Sequence, residues 1–186
     1  VGRANVVLFL VNSESGLSNV HAATAQSLLE HHPEVTVHFA SFPPIAAKLK
    51  RISSYSQAKT PSQPAPDIVF HELPNLTFAR AVLSSGRTID KVVHRPGLDG
   101  IDQVCRDIQM YISPWSGEDH YTLYQLLVKI IDEVDPALVV LDTGFRPGID
   151  ATRERNRQYA FISPNTLYDN FFIEQPYGSM FWKYPL

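Results

Sequence analysis

Six consecutive apolar residues, Val6-Val7-Leu8-Phe9-Leu10-Val11, run without a polar interruption and are followed at once by polar turn formers. A strand with one wet face alternates, whereas an unbroken apolar run must be covered on both faces. Strands covered on both faces belong to parallel sheets with helices above and below. Residues 35–40, 67–73 and 159–162 read as further strands, and so does Ala137-Leu138-Val139-Val140-Leu141-Asp142, which ends on a carboxylate. Between them the apolar period changes to that of helices. Ser18 is placed to cap a helix over residues 19–31, with Ala25, Leu28 and Leu29 on one face and Pro33 as its stop. A short helix is expected over 45–50, after Pro43-Pro44. Ser116-Gly117-Glu118-Asp119 has the spacing of a capping box, and Tyr124, Leu127, Ile131 and Val134 then recur at helical period until Pro136. Pro147 opens a helix to about residue 157, and another is expected from Leu98 onward. The alternation specifies an α/β fold built on a doubly wound parallel sheet, expected in strand order 3-2-1-4-5.

At 186 residues the chain fits a single domain over 1–186. Within it, residues 53–66, rich in Ser, Gln and Pro, are expected to form a mobile loop. Residues 177–186 form an aromatic tail. The net charge of −3, with no Lys/Arg cluster, argues against a nucleic-acid partner, since that affinity rests on neutralising phosphates. No apolar run approaches the roughly 20 residues that span a bilayer. The start carries no signal-peptide pattern, and a cytoplasmic location is the expectation. Cys105 is the lone cysteine, so no internal disulfide forms, and a buried small hydrophobe is its expected role. His31 and His32 before Pro33, and the series Arg153, Arg155 and Arg157, read as solvated helix ends.

In an open parallel sheet, ligands bind beyond the carboxyl ends of the strands where strand order reverses. That rule places the loop of residues 12–18 and Asp142 on one crevice. The loop has a single glycine, Gly16, so it lacks the G-x-G-x-x-G phosphate cradle, and no Walker A sequence occurs in the chain. A nucleotide cofactor is therefore not expected here, and a flavodoxin-like electron carrier is disfavoured on the same ground.

Several segments, in order and spread over nearly the whole chain, resemble the N-terminal half of family 1 UDP-dependent glycosyltransferases, the fungal branch above all. They are Val7-Leu8-Phe9-Leu10-Val11-Asn12-Ser13-Glu14, Gly16-Leu17-Ser18-Asn19-Val20, Val37-His38-Phe39-Ala40-Ser41-Phe42-Pro43 and Phe70-His71-Glu72-Leu73-Pro74. Later come Pro114-Trp115-Ser116, Glu133-Val134-Asp135-Pro136-Ala137-Leu138-Val139-Val140-Leu141-Asp142 and Ile162-Ser163-Pro164-Asn165-Thr166-Leu167. The resemblance implies a Rossmann-like domain, one half of a GT-B fold, that binds a small hydrophobic acceptor such as a natural product, sterol or phenol. The UDP-sugar donor would lie in a second half, which this chain does not reach. That half, or a second copy of the chain, is expected to dock through 177–186. A secondary-metabolic role in a fungus goes with the same resemblance.

Many members of that family carry a G-H-x-N-P motif after the first strand. Its histidine deprotonates the acceptor hydroxyl, and an aspartate on a later strand orients it. Here Leu17 stands at the histidine position and Asp142 at the aspartate position. Leucine accepts no proton, and an alcohol is a poor nucleophile until a positioned base takes one. Asp142 is nevertheless the first catalytic candidate; its other reading is a turn cap or a partner of Arg146 or Arg153. His21, one helical turn past Leu17, is the candidate replacement base, although it shares a helical stripe with Ala25 and Leu28. Gly16, Leu17, Asn19, His71, Trp115 and His120 are the candidate substrate contacts, with a strand-end hydrogen bond as the alternative for His71. No metal set is visible. Two function classes remain open: an acceptor-binding enzyme half, and a stand-alone domain that binds or transforms a small hydrophobic molecule without a sugar donor.

Overall fold

The computed structural model describes residues 2–59, 65–86 and 112–164, together with Gly100, Ile101, Gln103 and Asp107. The expected helix from Leu98, Cys105 and the 177–186 tail lie wholly or mostly outside these residues.

Strands β1 (Arg3–Leu10), β2 (Thr36–Ser41), β3 (Val69–Glu72), β4 (Pro136–Asp142) and β5 (Tyr159–Ile162) form one sheet in the order β3-β2-β1-β4-β5. Every pairing is parallel. Helices bounded within the described residues are α1 (Ser15–His31), α2 (Ala46–Lys59, after a 3-10 turn at Pro43–Ile45), α3 (Phe78–Ser84), α4 (Gly117–Val134) and α5 (Arg146–Glu154). This is the doubly wound α/β architecture that the strand and helix periods specify.

Because side chains alternate across a strand, the unbroken run of β1 feeds two cores. Leu8 and Leu10 pack with Leu123, Leu127, Ile130 and Ile131 of α4 and with Phe145 and Ile149. Phe9 and Val11 pack on the other face with Ala25 and Leu29 of α1 and Leu49 of α2. Phe9 and Phe39 stack there at 5.4 Å. Full burial of each such side chain is worth about 1.5–3 kcal/mol, which is what fixes the register of the central strand.

The helix ends follow local chemistry. Ser116 Oγ accepts from Asp119 N at 3.1 Å, the capping bond its spacing announced. Asp135 closes α4 in the left-handed region (φ 48°), its N–H donating to Ile131 O, before Pro136 starts β4. Three boundaries differ from expectation, the first being α5, which ends at Glu154 rather than near residue 157. Helix α1 starts at Ser15 with Glu14 at its cap position, while Ser18 is buried inside the first turns and donates to Ser13 O at 3.4 Å. The expected mobile loop does not begin at Ser53, because α2 continues to Lys59. Ser53 and Ser56 are buried, Ser53 Oγ accepts from Ile68 N, and Gln57 donates to Ala65 O and Asp67 Oδ1. Small hydroxyl side chains let α2 approach the chain entering β3, and a composition argument reads them as loop formers instead.

Candidate functional site

Strands β1 and β4 are parallel neighbours, with Leu10 opposite Leu141, so the chain leaves both at the same edge. The loop after β1 and the turn after β4 therefore meet, at the order reversal between β2-β1 and β1-β4. Asp142 is fully buried there. Its Oδ2 accepts from Asn12 N at 3.2 Å and its Oδ1 from Gly144 N at 2.9 Å. The carboxylate thus pins the two loops to each other. Neither Arg146 nor Arg153 is its partner among the described residues. The bond to Gly144 is the Asx-type contact of an Asp with the backbone two residues on.

Leu17 joins this point. The position that a Cβ would take at Gly144 lies 3.6 Å from Asn12 Nδ2, 3.6 Å from Asp142 Oδ1 and 3.8 Å from Leu17 Cδ1. Leu17 and Gly144 are half-buried, and Asn12 beside them is fully buried. Asn12 Nδ2 and Oδ1 and Glu14 Oε2 are buried polar atoms with no hydrogen-bond partner among the described residues. Glu14 Oε1 accepts from Ala79 N at 2.9 Å, tying the first loop to α3.

His21 is buried between α1 and β4. Its Nδ1 lies 2.9 Å from Leu17 O and its Nε2 3.4 Å from Leu141 O, so both ring nitrogens face main-chain carbonyls and the ring bridges α1 to β4. Trp115 is buried; its Nε1 donates to Leu76 O at 2.8 Å, and its ring meets Phe78 and Phe145 edge-on. Phe145 N in turn donates to Asp142 O, so Trp115 stands one ring away from the β4 turn.

The other candidates lie apart. Gly16 is exposed in the first turn of α1, with open space around it. Asn19 accepts from Lys48 Nζ and lines an open groove of about 470 Å³ between α1 and α2, together with Ala22, Ala23 and Tyr55. His120, at the start of α4, places Nε2 3.0 Å from Asp150 Oδ2 of α5. His71 sits on β3, its Nε2 2.8 Å from His38 Nδ1 of β2. Burial pushes both of these imidazoles below the ordinary histidine range; the charge of His71 and then that of Arg3 add to the effect on His38, and Glu133 opposes it at His71. Among the described residues no three His, Cys, Asp or Glu side chains cluster as a metal site.

Sequence reasoning located the loop of Asn12 but gave that residue no role, and it missed Gly144 and His38. The Asp142-Thr143-Gly144 spacing is the readable signal for the first pair. For His38, the signal is a second histidine on the neighbouring strand.

No family model matches the chain. It is similar to a ugt transferase from Siraitia grosvenorii, solved in complex with UDP, at 18% identity and a TM-score of 0.45, covering 84% of this chain and 27% of that one. It is 31% identical over 183 residues to "Glycosyltransferase sdnJ" of Sordaria araneosa, an alignment covering 96% of this chain and 36% of that protein. The chain is thus similar to that glycosyltransferase along almost all of its own length and spans about a third of it.

Proposed function

We propose that this chain is the acceptor-binding half of a UDP-sugar-dependent glycosyltransferase, acting on a small hydrophobic acceptor. The crevice between the β1 loop and the β4 turn holds the acceptor, and a donor-binding half outside this chain holds the UDP-sugar. One observation carries the reading: a glycosyltransferase matches 96% of the chain while the chain spans only 36% of it. The convergence of Leu17, Asn12, Asp142 and Gly144 at the switch point of the sheet supports the placement. Asp142 is the orienting carboxylate of that site, and Trp115 belongs to its aromatic wall.

A second reading is favoured by a specific observation. Leu17, which accepts no proton, shares with Asp142 the neighbourhood of Gly144, and both ring nitrogens of His21 face carbonyl oxygens. On that reading the crevice binds or transforms a hydrophobic molecule without a sugar donor.

Calorimetric titration of the chain with UDP, beside fluorescence titration with hydrophobic phenols, tests the first reading. Phenol binding without UDP binding is expected, because the β1 loop has no phosphate cradle. Micromolar UDP binding to this chain alone would sink it.

A further inference from the structure

Helices α1 and α2 pack side by side, and each carries a face that the sheet does not use. Ala25 and Leu29 of α1 and Leu49 of α2 enter the core. Asn19, Ala22, Ala23 and Gln26 line the groove between the helices from the α1 side. Lys48, Arg51, Ile52 and Tyr55 line it from the α2 side. Both sets follow the spacing i, i+3, i+4, i+7, which is one stripe along a helix. The two stripes bound an open groove of about 470 Å³, a volume in the range of small-molecule sites.

The groove joins apolar lining to uncompensated charge. Ala22 is buried and Ala23 exposed, and their short side chains leave the space that longer ones would take. Ile52 is half-buried, and Tyr55 is 57% exposed. The lining holds no carboxylate, while Lys48 and Arg51 are cations in a chain whose net charge is −3. Lys48 donates to the side-chain oxygen of Asn19, a neutral partner that leaves its charge in place. Arg51 is exposed and has no hydrogen-bond or ion-pair partner among the described residues. Glu30, one turn past Gln26, is already engaged by Gln26 and Lys59.

We propose that the groove between α1 and α2 is a second binding site, separate from the β1–β4 crevice, for a small amphiphilic carboxylate. The apolar body of the ligand lies on Ala22, Ala23 and Ile52 beside the ring of Tyr55, and its head is taken by Arg51 and Lys48. The planar guanidinium of Arg51 offers parallel N–H groups that match the two oxygens of a carboxylate. A neutral molecule of the same shape gains the apolar contact and leaves both cations as they stand. A bare anion meets only water-exposed cations, and such pairs contribute little by themselves. Head and body are therefore both required. The site does not depend on what the crevice holds.

Amide-detected NMR titration of the full chain tests this, because the amides that shift locate each probe and separate the groove from the crevice. The probes are 2-naphthoate, its neutral counterpart 2-naphthalenemethanol, and acetate, which carries the head alone. The proteins are wild type, Arg51→Gln and Ala23→Leu, both substitutions falling at exposed positions where the fold tolerates them. In wild type, 2-naphthoate should shift amides of residues 19–26 and 48–55. At low salt it should bind about fivefold more tightly than the alcohol, the scale of an exposed ion pair, and added salt should shrink that preference. Arg51→Gln should cut the preference to about twofold or less, and Ala23→Leu should weaken both naphthalene probes by filling the groove. Acetate should leave these amides unmoved. Equal affinity of wild type for the two naphthalene probes, a preference unchanged in Arg51→Gln, or shifts confined to the surroundings of Asn12 and Asp142 overturns the proposal. So does acetate binding as well as 2-naphthoate, or the absence of any shift at millimolar 2-naphthoate.

Discussion

Substituting Asp142 is expected to damage the fold by an amount that can be worked from its two bonds. The side chain is fully buried and accepts from Asn12 N at 3.2 Å and Gly144 N at 2.9 Å. Asp142→Ala removes both acceptors and leaves two main-chain donors facing a hole. A buried donor without a partner costs about 1–3 kcal/mol. Asn12 N lies in the interior and should cost near the upper end of that range; Gly144 is half-buried, and water can reach it at the lower end. The expected loss is about 2–4 kcal/mol, a large share of the 5–15 kcal/mol typical of a domain. Asp142→Asn should cost about half as much, because its carbonyl oxygen still accepts one of the two bonds while its NH2 faces the other donor. Urea denaturation followed by circular dichroism measures both, with stability read from midpoints at unchanged slope. In thermal melts the alanine variant should fall by roughly 5–15 °C. A loss below about 1 kcal/mol for Asp142→Ala would refute the reasoning, since it would mean that the two N–H groups find other partners. In a whole, active enzyme, turnover per folded molecule separates this clamp from any action of the carboxylate on the substrate.

The histidine pair of β2 and β3 should make the domain less stable in mild acid. Burial holds His38 and His71 below the ordinary histidine range in the folded chain, so the unfolded chain binds more protons as pH falls past about 6.5. Their contribution is therefore present above that pH and lost as pH falls through the lower folded values. Urea midpoints between pH 7.5 and 5.5 should decline less in a His38→Gln/His71→Gln double variant, and an unchanged decline would show that other groups set the acid sensitivity. A methyl group at Gly148 would stand 2.9 Å from Phe145 Cδ1 and 3.3 Å from Leu10 Cβ, both buried. Gly148→Ala is therefore expected to cost about 1–3 kcal/mol by overpacking, even though alanine favours helices, and a stabilised variant in the same denaturation assay would contradict this.

How legible all this was depended on whether a residue's partners were local or distant. The sheet order followed from one unbroken apolar run and the rule of alternating strands and helices, and the capping box at Ser116 is contained in four consecutive residues. Each of these is decided within a short window of chain. Residues Ser53 and Ser56 were misread because their helical state depends on a close approach to the chain before β3, at Ile68 and Ala65, which composition does not encode. Ser18 is a good cap by type, but the turn begins earlier, at Glu14, whose carboxylate is drawn to Ala79 N, 65 positions away. The site divides in the same way. Asp142 was legible as the polar end of a buried strand beside the first loop, whereas Asn12 gains its interest only from being buried and unpaired, which is a tertiary fact. His38 and His71 sit 33 residues apart, and only the β2–β3 register brings them together.

Position 17 and position 142 carry different information about chemistry. The two main-chain donors at Asn12 and Gly144 require an acceptor between them whatever the first loop does, so the presence of Asp142 follows from the architecture of the β1–β4 junction. A carboxylate there is compatible with proton transfer and equally with none. Leu17 has no such obligation. It is half-buried, its Cδ1 lies 3.8 Å from where a Cβ would stand at Gly144, and no main-chain group depends on its side chain for a hydrogen bond, so the architecture does not dictate its identity. The amide of Asn12 and the carboxylate of Asp142 are both fully buried beneath this junction.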